Sequence, residues 1–234
     1  MEAELAHLES RQIEILRRIE KLELIHQFSH SLSISSPDEN RCDVQQPEDA
    51  STEVRLSAIL VASGVQDFIF KRVPFDYYDW TLEARRDVIS AASVDHLCKS
   101  IVLVNTQAPS EITDCSDRNN SKYYVVVVQY TARFNAETVR NFLYALNDGK
   151  IAKKKFNLRL APEEISQKLT GYEHNGVTCV GMKTDIPVIL DEAIVKLTPD
   201  FFWLGGGEID LKLGIKTSEF INSVKPFVVR CSGS

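Results

Sequence analysis

Glycines carry the first hint of chemistry in this chain. Gly171, Gly176 and Gly181 stand five residues apart within residues 171–193, GYEHNGVTCVGMKTDIPVILDEA, and Gly205, Gly206 and Gly207 follow directly on the apolar run of residues 201–204. The five-residue interval is too wide for one phosphate loop and suits successive turns. Glycine takes positive φ or lets the backbone approach a ligand. Each stretch therefore reads as a loop feeding a short strand, with bare amide groups at the strand end, and loops on a rigid scaffold are where sites usually lie. Two tight turns between strands are the plain alternative. The usual side-chain nucleophile and metal motifs do not occur: there is no GxSxG, no HExxH and no Cys/His pair at useful spacing. Cys179, inside the first loop, reads as a small buried hydrophobe rather than a nucleophile. His174 reads as a surface imidazole, although histidine titrates where a general base is useful.

Two further groups bear on binding. Lys150, Lys153, Lys154, Lys155 and Arg159 form the one dense basic patch, suited either to a phosphate backbone or to plain solvation. Tyr77, Tyr78 and Trp80 form an aromatic cluster that suits stacking on a base, or a core rim.

The elements that must position these groups follow from hydrophobic period and capping signals. Residues 1–28 predict an amphipathic, coiled-coil-like helix, with Leu5, Leu8, Ile15, Ile19 and Leu22 on its seam and Gln12 interrupting it. It can pair with a second copy as a homodimer, join another protein, or fold back on its own domain. Residues 29–52, rich in Ser, Pro, Asp, Glu and Gln, predict a flexible linker. Residues 53–234 make the domain proper. A helix begins near Glu53 and ends at Ser63-Gly64. A short strand spans Phe68 to Phe75. Thr81 caps a helix running through Ser93, and a short helix covers residues 94–97. Strands at 101–104 and 123–128 flank a polar loop, and the unbroken run of β-formers in the second argues that both its faces are covered. Helices at 136–146 and 162–169 surround a short strand at 156–160. Strands at 177–180, 188–190, 201–204 and 209–213 then precede a last helix from Thr217. The order gives an α+β or α/β fold with a mixed sheet.

Composition limits the functional classes. The chain has 234 residues, 44% of them hydrophobic and 26% charged, as in an ordinary soluble globular protein. No apolar run is long enough for a membrane span, and the acidic N-terminus does not resemble a secretory or transit signal. Five scattered cysteines without ligand spacing argue against a zinc site or disulfide framework and favour a reducing, cytoplasmic setting. A net charge of −6 means that any contact with RNA uses a local patch.

The order of segments is recognisable. Residues 99–104 (KSIVLV), 122–128 (KYYVVVV), Thr170-Gly171-Tyr172 with Gly176-Val177-Thr178, 186–191 (IPVILD), and the Gly205 loop with Ile209-Asp-Leu-Lys-Leu213 together resemble the YbaK and prolyl-tRNA synthetase-associated domain family, over roughly Ser57 to Val224. That resemblance implies a compact fold with a mixed sheet and a central cleft. It also implies trans-editing, the hydrolysis of the ester joining a wrong amino acid to tRNA, in the service of translation fidelity. No side-chain nucleophile is expected. The substrate's own ribose hydroxyl and backbone groups help position a water, while backbone amides stabilise the oxyanion.

On the same resemblance Lys99 matches the functional lysine that holds the terminal adenosine phosphate. Gly176 belongs to the catalytic loop, and Asn175, Val177 and Thr178 line the acyl pocket with Gly205, Gly206 and Gly207. Asp210 stands at the position of an acidic residue near the site, or is an exposed strand carboxylate. The family's Gly-Gly-Ile-Ser-Pro loop reads Asn175-Gly-Val-Thr-Cys179 here, so its leading glycine and closing proline are both replaced; asparagine tolerates the left-handed backbone such a turn needs. No metal or organic cofactor is implied. The partners implied are the acceptor end of mischarged tRNA and an aminoacyl-tRNA synthetase. A catalytically inactive binding module of the same fold, joined to tRNA or to a synthetase complex, is the competing expectation.

Overall fold

A computed structural model describes residues 51–233, within the second of the two units, Met1–Glu48 and Asp49–Ser234, into which the chain divides. The helix expected at residues 1–28 and nearly all of the linker at 29–52 lie outside the described residues. Ser51 and Thr52 open the first helix, α1 (Thr52–Ala62), where the Ser51 hydroxyl accepts from the Val54 amide. Ser63 closes it.

Strand β1 (Phe68–Arg72) leads to a 3₁₀ turn, Tyr77–Asp79, and then to helix α2 (Leu82–Ile89), capped by Thr81. This helix stops four residues before the expected Ser93, because Ser90 adopts a left-handed conformation at φ 59° that ends the helical run. A second 3₁₀ turn, Val94–His96, precedes β2 (Cys98–Asn105). After a polar loop come β3 (Tyr123–Gln129), β4 (Arg133–Phe134) and α3 (Ala136–Leu146), whose cap is Asn135. A third 3₁₀ turn, Lys153–Lys155, leads to β5 (Leu158–Leu160), and α4 (Glu163–Thr170) ends on left-handed Gly171.

The remainder holds β6 (Val188–Asp191), α5 (Glu192–Val195), β7 (Phe201–Gly205), β8 (Leu211–Lys216), α6 (Thr217–Val224), β9 (Phe227–Val229) and β10 (Ser232–Gly233). The strand expected at 177–180 is not one. Carbonyls there bond to a side chain: the Tyr172 hydroxyl bonds Val180 O at 2.6 Å and Gly181 O at 2.8 Å.

The mixed sheet runs β5-β2-β3-β6-β9. Its β5-β2-β3 half is antiparallel and its β3-β6-β9 half parallel. Val125, Val126, Val127 and Val128 of β3 are all fully buried. Val125 and Val127 face one core and Val126 and Val128 the other, so both faces of the strand are covered, as the unbroken run of β-formers implies. A second sheet, β1-β8-β7, is wholly antiparallel, and a single bridge between Leu97 and Trp203 ties it to the start of β2. β4 and β10 form a separate two-stranded ribbon. Among the described residues no helix is long and apolar enough to cross a membrane.

Candidate active site

The two glycine loops meet. Gly207 N–H donates to Gly176 O at 2.9 Å. A Cβ on Gly205 would stand 2.4 Å from Val177 O, and one on Gly176 would stand 3.1 Å from the backbone of Glu208. Only glycine permits backbones to pack this closely. The same contact uses up amides: Gly176 N–H donates to Glu173 O, and Gly206 N–H to Leu211 O. Asn175 takes φ 66°, the left-handed turn expected of it. Thr178 is fully buried, and its Oγ1 has no hydrogen-bond partner among the described residues. Cys179 is buried 3.8 Å from Ser100 Oγ, and burial pushes its thiol up to about 12, which removes the thiolate a nucleophile needs.

Beside this junction lies a hollow of about 10 Å³, the size of one water. Gly205 is part of its wall, together with Tyr77, Tyr78, Cys98, Tyr130 and Lys212. The Tyr78 hydroxyl is its hub. It donates to Asn175 O at 2.6 Å and accepts from Lys212 Nζ at 2.7 Å, so the 3₁₀ turn is strapped to the Asn175 loop and to β8. Arg85 of α2 holds this turn from behind: its guanidinium donates to the carbonyls of Tyr78 and Trp80 and stacks on the rings of Tyr77, Tyr78 and Tyr130. Burial raises the hydroxyl pKa values of Tyr77, to about 12, and of Tyr78 and Tyr130, so all three remain protonated donors at neutral pH.

Lys212 is 4% exposed. Its ammonium donates to Tyr78 Oη and, at 2.7 Å, to Ile209 O, and lies 4.5 Å from the Tyr78 ring centroid. Burial lowers its pKa to about 8; Asp210 opposes the shift and Arg85 adds to it.

The residues singled out from sequence divide between this place and its surroundings. Lys99 stands on β2 opposite Val128, with its amine 5.5 Å from the centroid of the ring of Tyr130, a lining residue of the hollow. Gly205 lines the hollow directly, whereas Asn175 reaches it through Tyr78. Gly176, Val177, Thr178, Gly206 and Gly207 form the loop junction behind it. Asp210 pairs its carboxylate with Arg72 at 2.9 Å, next to Glu208 on the same guanidinium, and acts on Lys212 through its charge.

Tyr77 and Tyr78 wall the hollow, and Trp80 packs 6.3 Å from Tyr77. His174 is exposed. Lys150, Lys153, Lys154, Lys155 and Arg159 are all exposed, with Lys150 paired to Asp148 and Lys153 to Glu137. Sequence reasoning missed Lys212, Arg85 and Tyr130. Lys212 alternates with Leu211 and Leu213 as a solvent-facing strand residue would, and nothing local announces that its face is covered. Among the described residues no cluster of three His, Cys, Asp or Glu side chains suits a metal ion.

Comparison with known proteins gives the family and the fold. A family model described as the aminoacyl-tRNA editing domain matches residues 87–222, more than half of the chain. No curated protein matches significantly. Among solved structures, the chain is similar to that of a proposed trans-editing enzyme for prolyl tRNA synthetase, at 19% identity and a TM-score of 0.60, covering 79% of this chain and 99% of that one. It is also similar to a chain from work on epitope grafting onto scaffold proteins, at 17% identity and TM-score 0.58, covering 79% of this chain and 99% of that one. A hypothetical protein gives 17% identity and TM-score 0.56, covering 77% and 99%. At these identities the likeness is one of fold.

Proposed function

The chain belongs to the aminoacyl-tRNA editing domain family, and from that premise we propose that it hydrolyses the ester of mischarged tRNA. The observation that carries this reading is the junction of the Gly176 and Gly205 loops, closed by the bond from Gly207 N–H to Gly176 O, beside a water-sized hollow. An aminoacyl ester is already activated. A catalyst that places a water and offers donors to the oxyanion is enough, and no side-chain nucleophile is required. Lys99 is the cation that anchors the terminal phosphate as a point charge. Asn175, Val177, Thr178 and the three glycines shape the acyl side. Residues 1–52 serve assembly, with a second copy or with a synthetase.

One observation favours a second reading, a binding module of the same fold without hydrolysis. The hollow has room for one water and not for an acyl group, and the amides of Gly176, Gly206 and Gly207 are engaged within the protein. The two readings separate on one experiment. Purified protein is incubated with a panel of mischarged tRNAs, with Lys99→Ala as control, and loss of the ester is followed. Deacylation of at least one species, reduced in the control, is the expected result. Binding of tRNA or synthetase without ester loss across the panel establishes the module instead.

A further inference from the structure

We propose that Lys212 is the proton-transfer group of this site, taking a proton from the attacking water and returning it to the leaving ribose oxygen; this rests on the deacylase reading above. The hollow that Lys212 lines is sized for the nucleophile rather than for the amino acid. In that arrangement the water sits inside, against Lys212, and the ester docks at the mouth.

The bonding of the amine fits the role. An uncharged lysine amine has two N–H donors and one lone pair. Tyr78 Oη and Ile209 O accept two hydrogen bonds, each at 2.7 Å. They satisfy both donors of the free amine and orient it, which leaves its third tetrahedral position for a proton or a lone pair. Tyr78 is thus a positioning residue. Its own hydroxyl proton is committed to Asn175 O, so it does not compete as the base.

The surroundings make the free amine accessible near neutrality. Lys71 stands directly across the β1–β8 ladder and is itself bonded to Ile89 O and Ser90 Oγ. Arg85 adds positive charge from α2, and Tyr77 and Tyr78 face the amine as neutral phenols. The Cys98 thiol, on the β2 side, is held neutral by burial. Asp210, in the turn before β8, favours the ammonium, as do the faces of the Tyr77 and Tyr78 rings at 5.2 and 4.5 Å, and the Asp210 charge is shared with Arg72. With the amine titrating at about 8, roughly a tenth is free at pH 7 and most is free at pH 9.

The step balances. The water oxygen bonds to the ester carbonyl carbon while one water proton passes to Nζ. The carbon–oxygen bond to ribose then breaks, and the Nζ proton moves to that oxygen. Free amino acid and tRNA leave, and Lys212 is again an amine.

The test is the pH dependence of deacylation of a substrate tRNA by the wild type, Lys212→Met and Lys212→Arg, with the spontaneous ester loss subtracted at each pH. Melting curves confirm that each variant is folded. For the wild type, kcat/KM is expected to rise through about pH 8 and level off. Lys212→Met should fall by at least 10²-fold with a flat profile, within the range of general acid–base contributions. Lys212→Arg should fall equally, since it keeps the charge but cannot release a proton near neutrality. A wild type that deacylates while Lys212→Met retains its rate within threefold, or its pH profile, overturns this assignment alone. Arginine restoring the rate overturns it in favour of a purely electrostatic role. A wild type inactive on every aminoacyl-tRNA overturns the deacylase reading, and this assignment with it.

Discussion

Gly205 passes so close to Val177 that a Cβ on the first would lie 2.4 Å from the carbonyl oxygen of the second. Gly205 is not in the left-handed region, so alanine there meets no backbone strain, only a backbone oxygen that cannot step aside as a flexible side chain would. Gly205→Ala should therefore cost about 1–3 kcal/mol, the range for overpacking a tight contact. At roughly 2–4 °C per kcal/mol for a domain of this size, calorimetry resolves the loss. An unchanged melting temperature would mean that the two loops stand apart in solution.

Asn175 offers the converse case, a position set by backbone shape. At φ 66° a β-branched residue is strained, and asparagine is among the few side chains that adopt this conformation readily. Asn175→Gly should leave the urea midpoint nearly unchanged. Asn175→Val should lower stability by about 1–2 kcal/mol, with the slope of the transition preserved. Since Asn175 is exposed, lost burial cannot explain such a difference. Equal midpoints for the two variants would place this turn outside the left-handed region.

These two positions show what the sequence made legible. Glycine and asparagine announce their backbone geometry in their own identity, so the turn at Asn175 and the pairing of the two glycine loops were readable. The same holds for β3, whose unbroken apolar run states that both faces are covered, and for the cap at Thr81. Burial imposed from a distance left no such mark. Lys212 alternates with leucines as any exposed strand residue does, and only the packing of Tyr77, Tyr78 and Arg85 over it makes it a buried amine. Asp210 stands near the site by its position in a motif, and its pairing with Arg72, 138 positions earlier, is a tertiary contact that left no mark in the sequence. The segment at 177–180 is apolar enough for a strand, and the competing bonds from the Tyr172 hydroxyl are set by tertiary packing.

Tyr78 tests the strap to the Asn175 loop and β8. Tyr78→Phe keeps the ring, its edge contact with Tyr77 at 5.3 Å and its stacking on Arg85, but removes the hydroxyl. Asn175 O then loses a donor and Lys212 Nζ loses an acceptor. Asn175 is exposed and its carbonyl can turn to water, but depriving the buried Lys212 amine of an acceptor costs about 1–3 kcal/mol. Tyr78→Ala should cost more, because ring packing goes as well. Chemical denaturation of both variants should rank them wild type, Phe, Ala in falling stability. Phe as stable as the wild type would show that the hydroxyl bonds do not hold the turn in solution.

The alkaline limb of the stability curve should have a turning point, because the buried amine and the buried thiols act with opposite signs. The Lys212 amine titrates at about 8 in the fold against 10.5 in the unfolded chain. Between these values the unfolded state binds more protons, so stability rises with pH. Cys98, Cys115, Cys179 and Cys231 are buried, and burial raises each thiol above its ordinary 9.0, Cys179 to about 12. Above about pH 9 the unfolded thiols ionise while the native ones do not, so stability present below that pH is lost as pH climbs. At about 1.4 kcal/mol per pH unit for each group, four thiols outweigh one amine. The urea midpoint should rise from pH 8, peak near pH 9 and fall steeply beyond it. Lys212→Met should abolish the rise and keep the fall. In a Cys42→Ser background, the remaining four thiols should resist a thiol-exchange reagent at pH 8 until urea is added. Rapid reaction of all four in native buffer, or a midpoint that climbs steadily to pH 11, would contradict the burial on which both signs rest.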